Sequence, residues 1–79
     1  MNIPDIRINI IHSFIRDIKE QYNINATYTY DDRYDIYILY HDKEKISCEL
    51  NNSIQIMLSH YFFDNQIYNI CFLYRCFNK

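Results

Sequence analysis

Between Ala26 and Leu50 the chain alternates apolar and polar residues in three runs, parted by Asp31-Asp32-Arg33 and Asp42-Lys43-Glu44. Alternation with a period of two, broken by short polar triplets, predicts a three-stranded antiparallel meander. The sequence holds no glycine. Every turn that needs a positive φ must therefore use Asn or Asp, which tolerate that region best after glycine. With a three-residue loop at 31–33, Tyr28 faces Ile36 and Ala26 faces Ile38. A loop at 42–44 sets Ile38 opposite Cys48 and Ile36 opposite Leu50. Both hairpins then gather Ala26, Tyr28, Tyr30, Tyr34, Ile36, Ile38, Tyr40, Ile46, Cys48 and Leu50 on one inner face. A slip by one residue would exchange the faces. The outer face carries Asn25, Thr27, Thr29, Asp35, Tyr37, Leu39, His41, Lys45, Ser47 and Glu49. Tyr37 and Leu39 stand at its centre and fit two readings: scattered surface apolars, or the anchor of an interface.

On either side of the meander the period changes. Residues 4 to 22 read as a helix with Asn2 as its cap and Pro4 and Asp5 in its first turn. Ile6, Ile10, Phe14 and Ile18 form one ridge, and Ile8, Ile11, Ile15 and Tyr22 lie beside it. So wide an apolar arc fits a helix nested between sheet and tail, or one that touches a second molecule. Asn23 and Asn25 end it. A second helix runs from Asn52 to Phe63, capped by Asn51 or Asn52, on Ile54, Met57, Leu58, Tyr61 and Phe62. Ile56 and Phe63 fall on its other side, and Asp64-Asn65 breaks it. Residues 66 to 77 fit both periods; the aromatic and β-branched residues favour a fourth strand. The expected architecture is one α+β domain over residues 1–79, in the order αβββαβ.

Composition narrows the function. Seventy-nine residues, 49% of them hydrophobic and 18% aromatic, make one small domain with a core. A net charge of −2 lacks the basic footprint of a phosphate-backbone binder. The three cysteines and the absence of a readable leader lead us to expect reduced thiols in the cytoplasm. Asp5, Arg7, Arg16 and Asp17 interrupt the Ile-rich start, so no membrane span is expected.

The chemical constellations fail on spacing. Cys71 and Cys76 stand as C-x4-C, which separates the sulfurs on a helix or a strand and does not match a zinc knuckle. Cys48, among inner-face isoleucines, is expected to be inert, and Cys76 beside Arg75 is a weak nucleophile candidate. The element order is that of restriction-endonuclease-like cores, but the expected third strand lacks their acid-x-lysine triplet for Mg²⁺. Double-stranded-RNA-binding domains place lysines at the start of their last helix; here that helix begins Asn51-Asn52-Ser53-Ile54-Gln55. No catalytic residue, metal or cofactor is expected.

What remains is a set of carboxylates near the loops and outer face: Asp31, Asp32, Asp35, Asp42, Glu44 and Glu49. Two readings fit them, ordinary turn chemistry or an acidic array that meets a basic surface on another protein. At these residues the chain resembles the small phage-encoded anti-CRISPR proteins that inhibit type II RNA-guided nucleases. The likeness lies in the opening Met1-Asn2-Ile3, the helix segment Ile15-Arg16-Asp17-Ile18-Lys19, the meander with Ile46-Ser47, and Asn52-Ser53-Ile54. It covers roughly residues 1 to 62 and not the tail. In that family, acidic residues on strand loops fill the basic cleft that reads the short DNA motif beside the target. The resemblance implies a non-enzymatic inhibitor whose partner is a CRISPR effector nuclease. Asp31, Asp32, Asp35, Asp42, Glu44 and Glu49 would then occlude its nucleic-acid-binding surface; Tyr37 and Leu39 fit either the apolar anchor of that array or an inhibitory contact of their own. A homodimer, formed through the first helix or through Ile56 and Phe63, is the other expectation.

Overall fold

The computed structural model describes residues 6–76. The expected capping by Asn2, Pro4 and Asp5, and the end of the tail at Phe77, lie outside these residues. Along the chain run helix α1 (Ile6–Tyr22), strands β1 (Ala26–Asp31) and β2 (Ile36–His41), helix α2 (Cys48–Tyr61), a 3-10 turn (Phe63–Asn65) and strand β3 (Ile70–Tyr74). The fold is α+β: a helix, two strands, a second helix and a last strand that completes a three-stranded sheet. Which segment supplies the third strand of the sheet is where the structure departs from the meander.

Helix α1 buries Ile11, Phe14 and Ile18, with Ile8, Ile10, Ile15 and Tyr22 packed beside them. The stripe is narrower than the expected arc, and Ile6 is 69% exposed. Asn23 ends the helix as anticipated. It takes the left-handed conformation (φ 56°), and its N–H donates to the Lys19 carbonyl at 3.0 Å. This is the αL stop that glycine usually supplies. The Lys19 ammonium donates to Asn23 Oδ1 at 2.9 Å and holds the stop in place. The chain then drops Ile24 fully into the core.

Strands β1 and β2 pair antiparallel, but not in the expected register. Asp31 pairs with Ile36, Thr29 with Ile38 and Tyr28 with Leu39. The connecting loop is residues 32–35, one residue longer than expected. Asp31 stays in the strand and accepts the Arg33 N–H at 3.0 Å, while Asp35 provides the positive φ, 53°. The whole register moves by three residues. An odd shift exchanges the faces, so Tyr37, Leu39 and His41 point into the core and Ile36, Ile38 and Tyr40 point away from it. Periodicity cannot decide between these two registers, because both rows of β2 are apolar or aromatic. All six residues of the strand are buried or half-buried.

The segment from Lys45 to Leu50, expected as the third strand, is instead a short loop and the first turn of α2. Ser47 is the helix cap: its φ and ψ are −63° and 160°, and its hydroxyl accepts the Leu50 N–H at 3.1 Å. Glu49 lies in the first turn, where a carboxylate complements the helix dipole. The alternation of Ile46, Cys48 and Leu50 fits a strand, but Leu50 also continues the helical series through Ile54, Met57, Leu58 and Tyr61. The longer series prevails, and Asn51 and Asn52 lie within the helix. The tail does form a strand. β3 adds to β2 in parallel, Tyr37 opposite Ile70 and His41 opposite Tyr74, giving the order β1-β2-β3.

Both helices pack on the face of Tyr37 and Leu39. That core holds Ile11, Phe14 and Ile18 from α1, Ile54 and Leu58 from α2, and Ile24, Phe62 and Ile67 from the connections. Phe14 is its hinge point, edge-on to Tyr61, Phe62 and Phe72 at centroid distances of 5.6, 5.4 and 5.8 Å. The register makes a direct prediction. Leu39→Ala empties a fully buried site and is expected to cost about 2–5 kcal/mol, whereas Ile38→Ala on the outer row costs less than about 2 kcal/mol. Urea denaturation of the two variants checks this; the reverse order would restore the expected register.

Candidate functional site

The structure splits the eight residues singled out in the sequence. Tyr37 is 3% exposed and Leu39 is fully buried. Neither can anchor a partner on an outer face; both are core, because the register turned them inward. The carboxylates fall at opposite ends of the sheet. Asp31, Asp32 and Asp35 lie at the β1–β2 turn, and Asp42, Glu44 and Glu49 lie beyond the far end of β2. Six residues of strand put about 17 Å between the groups, so the acids do not form one array.

Several of these acids already have work within the fold. Asp31 forms an ion pair with Arg33, Nη2 to Oδ2 at 3.2 Å. Asp35 holds three elements together. Its carboxylate meets the Arg7 guanidinium of α1 at 3.0 Å and accepts the Tyr30 hydroxyl at 2.7 Å. Its carbonyl accepts the Asn69 side chain just before β3. Arg7 also lies 4.9 Å over the Tyr37 ring. The hydrogen bond to Asp35 raises the Tyr30 phenol above its ordinary pKa, because losing the proton would set a phenolate against a carboxylate.

Asp42 closes the other end. It accepts the Asn25 main-chain N–H at 3.1 Å and the Asn25 side-chain amide at 2.8 Å, and donates its own N–H to the Asn25 carbonyl at 3.1 Å. The side-chain amide of Asn25, chiefly, lowers the carboxyl below its usual range. Asp32, Glu44 and Glu49 are exposed and carry no ion pair among the described residues.

Other chemistry finds no assembled site. Cys48, Cys71 and Cys76 are free and exposed, which corrects the expectation that Cys48 lies inside. Cys48 begins α2 instead of sitting in an inner strand row. Among the described residues no three His, Cys, Asp or Glu side chains are placed to hold a metal ion. A shallow hollow is lined by Ser13, His60 and Tyr61, and His60 Nδ1 lies 3.0 Å from Asp64 Oδ2. No hydrogen bond joins Ser13 to His60, so a nucleophile–base pair is not assembled there. No helix of the described residues is long and apolar enough to cross a membrane.

The feature that sequence reasoning assigned to the interior is the open face of the sheet. Ile36, Ile38 and Tyr40 run down its centre, half-buried by their neighbours. Leu73 (49% exposed) and the exposed Cys71 flank them on β3. Thr27 and Thr29 flank them on β1. Arg75 lies 5.1 Å over the Tyr40 ring at one end. These side chains stand apart from the helix-covered core. The usable signal was in β2 itself: a strand with no polar row implies that both sheet faces exclude water or that one meets a partner. Ile56 and Phe63, the other interface candidates, are exposed on α2 and just beyond it; Phe63 stacks on Tyr68 at 6.0 Å. No protein-family model matches the chain, and comparison with curated proteins and with solved structures gives no significant match.

One buried group gives the fold a pH dependence. His41 sits on the core side of β2, 5% exposed. It stacks on Phe72 at 4.5 Å and 19°, and its Nδ1 accepts the Lys43 N–H at 3.3 Å. Burial lowers its pKa below 6.5, partly opposed by the charge of Asp42. As pH falls through about 6.5 the unfolded chain takes up the proton first. Stability is therefore expected to decline from there down to the depressed folded value. The contribution of Asp42 is lost in a separate window, below the carboxylate value of 3.8. Urea midpoints from pH 7.5 to 5 check this, and His41→Gln should flatten the decline.

Proposed function

We propose that the chain acts by binding another protein through the open face of its sheet, without chemistry of its own. The observation that carries this reading is the row Ile36, Ile38, Tyr40 and Leu73, uncovered by either helix and bordered by threonines and Arg75. An apolar centre with a polar rim and one arginine has the composition of an interface core.

The resemblance to phage-encoded anti-CRISPR inhibitors supports a finer version, in which the partner is a type II RNA-guided nuclease and the protein blocks its basic nucleic-acid-binding surface. In that version Asp32, Glu44 and Glu49 are the carboxylates available to the partner, since Asp31, Asp35 and Asp42 hold turns and strand ends together.

An interference assay with a type II effector, with and without the protein, tests the finer version; binding of the purified effector tests the contact. Thr27→Arg with Thr29→Arg adds two cations to the open face at exposed positions. It is expected to weaken binding at least tenfold while leaving the unfolding midpoint in place. Asp32→Lys with Glu44→Lys separates the two versions. If this pair abolishes binding and the threonine pair does not, the acidic ends carry the contact and the open face does not. Undisturbed interference together with no effector binding would remove the inhibitor reading.

A further inference from the structure

The sheet has two edges, and they differ. At the β1 edge, Asp31 with Arg33 stands at one end and the Asn25–Asp42 clamp at the other. β3 has Asn69 and Arg75 just beyond its ends, but nothing of the kind along its length. Ile70-Cys71-Phe72-Leu73-Tyr74 contains no charge, no proline and no bulge, and among the described residues only β2 pairs with it. Natural sheets seldom leave an uncharged apolar edge open, because it is a template for another strand.

The ladder to β2 shows which main-chain groups are left over. The Asn69 carbonyl accepts the Tyr37 N–H at 3.1 Å, and the Arg75 N–H donates to the His41 carbonyl at 2.8 Å. In a parallel ladder, alternate residues turn their N–H and C=O to the same neighbour. Residues 69, 71, 73 and 75 therefore face β2, and Ile70, Phe72 and Tyr74 present theirs to the free edge.

We propose that this edge is a self-pairing site: β3 of a second copy adds to it antiparallel, about a two-fold axis at Phe72. This is the register that uses all three outward residues. Phe72 exchanges both main-chain bonds with its twin, and Ile70 does so with Tyr74 of the second copy at each end. A second copy fits better than a charged segment, because a self-contact brings like side chains together and this strand has no charge to repel. The net charge of −2 lies elsewhere. Pairing also joins the two open faces into one, with Cys71 of each copy opposite Leu73 of the other. The site is separate from the open-face contact proposed above and does not rest on it.

A contact confined to a five-residue edge, about 17 Å long, belongs with the small interfaces, below roughly 1,200 Å², that are weak or transient. The dimer is accordingly weak and reversible, with a dissociation constant between about 1 µM and 1 mM. Sedimentation of the full chain across that range is expected to show monomer passing to dimer. Tyr74→Pro removes an N–H that β2 does not use and is expected to weaken the dimer at least tenfold while preserving the circular dichroism of the monomer.

The register has its own test. Cys71 and Leu73 of the second copy form a non-hydrogen-bonded pair, with Cα atoms about 4.5 Å apart, inside the disulfide range of about 4.4–6.8 Å. Leu73→Cys, with Cys48 and Cys76 changed to Ser, is therefore expected to oxidise under diamide to a dimer bridged between positions 71 and 73. Mass spectrometry locates the bridge. A monomer mass up to about 1 mM, a dimer unaffected by Tyr74→Pro, or a bridge from Cys71 to Cys71 would each overturn the proposal.

Discussion

Phe14 is the contact on which the arrangement depends. It is fully buried on α1 and meets the end of α2 through Tyr61 and Phe62, and β3 through Phe72. These elements are far apart in the chain, and Ile11, Ile18, Ile54 and Leu58 pack in the same core. Edge-on aromatic pairs combine large buried area with a preferred geometry, so one ring fixes three elements at once. The parallel placement of β3 follows from the same cluster. A parallel strand needs a crossover, usually a helix, and α2 supplies it by starting at Ser47, close behind β2. The chain thus uses Lys45–Leu50 to turn into a helix, and the last strand fills the place a meander would have given to that segment.

The centre of the sheet shows why composition alone misleads about its faces. In most half-exposed strands a polar row marks the wet side. In β2 neither row is polar throughout, His41 alone being a buried polar group, and the choice between them falls to the turn. Asp31 prefers to remain paired and cap its own loop, Asp35 takes the left-handed conformation, and the four-residue loop sets the register. Once Tyr37 and Leu39 are inside, the isoleucines and Tyr40 are outside. A single residue of loop length thereby decides which side chains a partner would meet.

Much of the architecture was legible from the residues. The two helices, the stop at Asn23 and the β1–β2 hairpin follow from period and from turn chemistry; the second helix ends at Tyr61, short of the expected Phe63, because Phe62 closes it and a 3-10 turn follows. The C-terminal strand follows from aromatic and β-branched residues in a stretch that also fits a helix. The rest was hidden by degeneracy. Ile46, Cys48 and Leu50 satisfy a strand over six residues, yet Leu50 also opens a helical series that runs to Tyr61, and Ser47 is as good a cap as Asn51 or Asn52. The candidate site was less legible than the fold. An aspartate in a turn looks the same in a sequence whether it faces a partner or an arginine from another helix, and Arg7 lies 28 residues before Asp35.

The placement of the acids bears on the kind of contact proposed. Asp31 and Asp35 are neutralised within the chain, and Asp42 is held by amide donors. The carboxylates left over are split between the two ends of the sheet, with Lys43 and Lys45 interleaved beside Glu44. Charge so divided steers an encounter weakly and cannot match a continuous basic groove along its length. The uncovered isoleucines and Tyr40, by contrast, are contiguous and already ordered by the strand that carries the core. Little conformational entropy remains to be lost there on binding, and a contact that starts from ordered apolar groups retains more of its gross energy. On physical grounds the centre of the sheet is the better equipped surface for the proposed contact, and the divided acids add little to it.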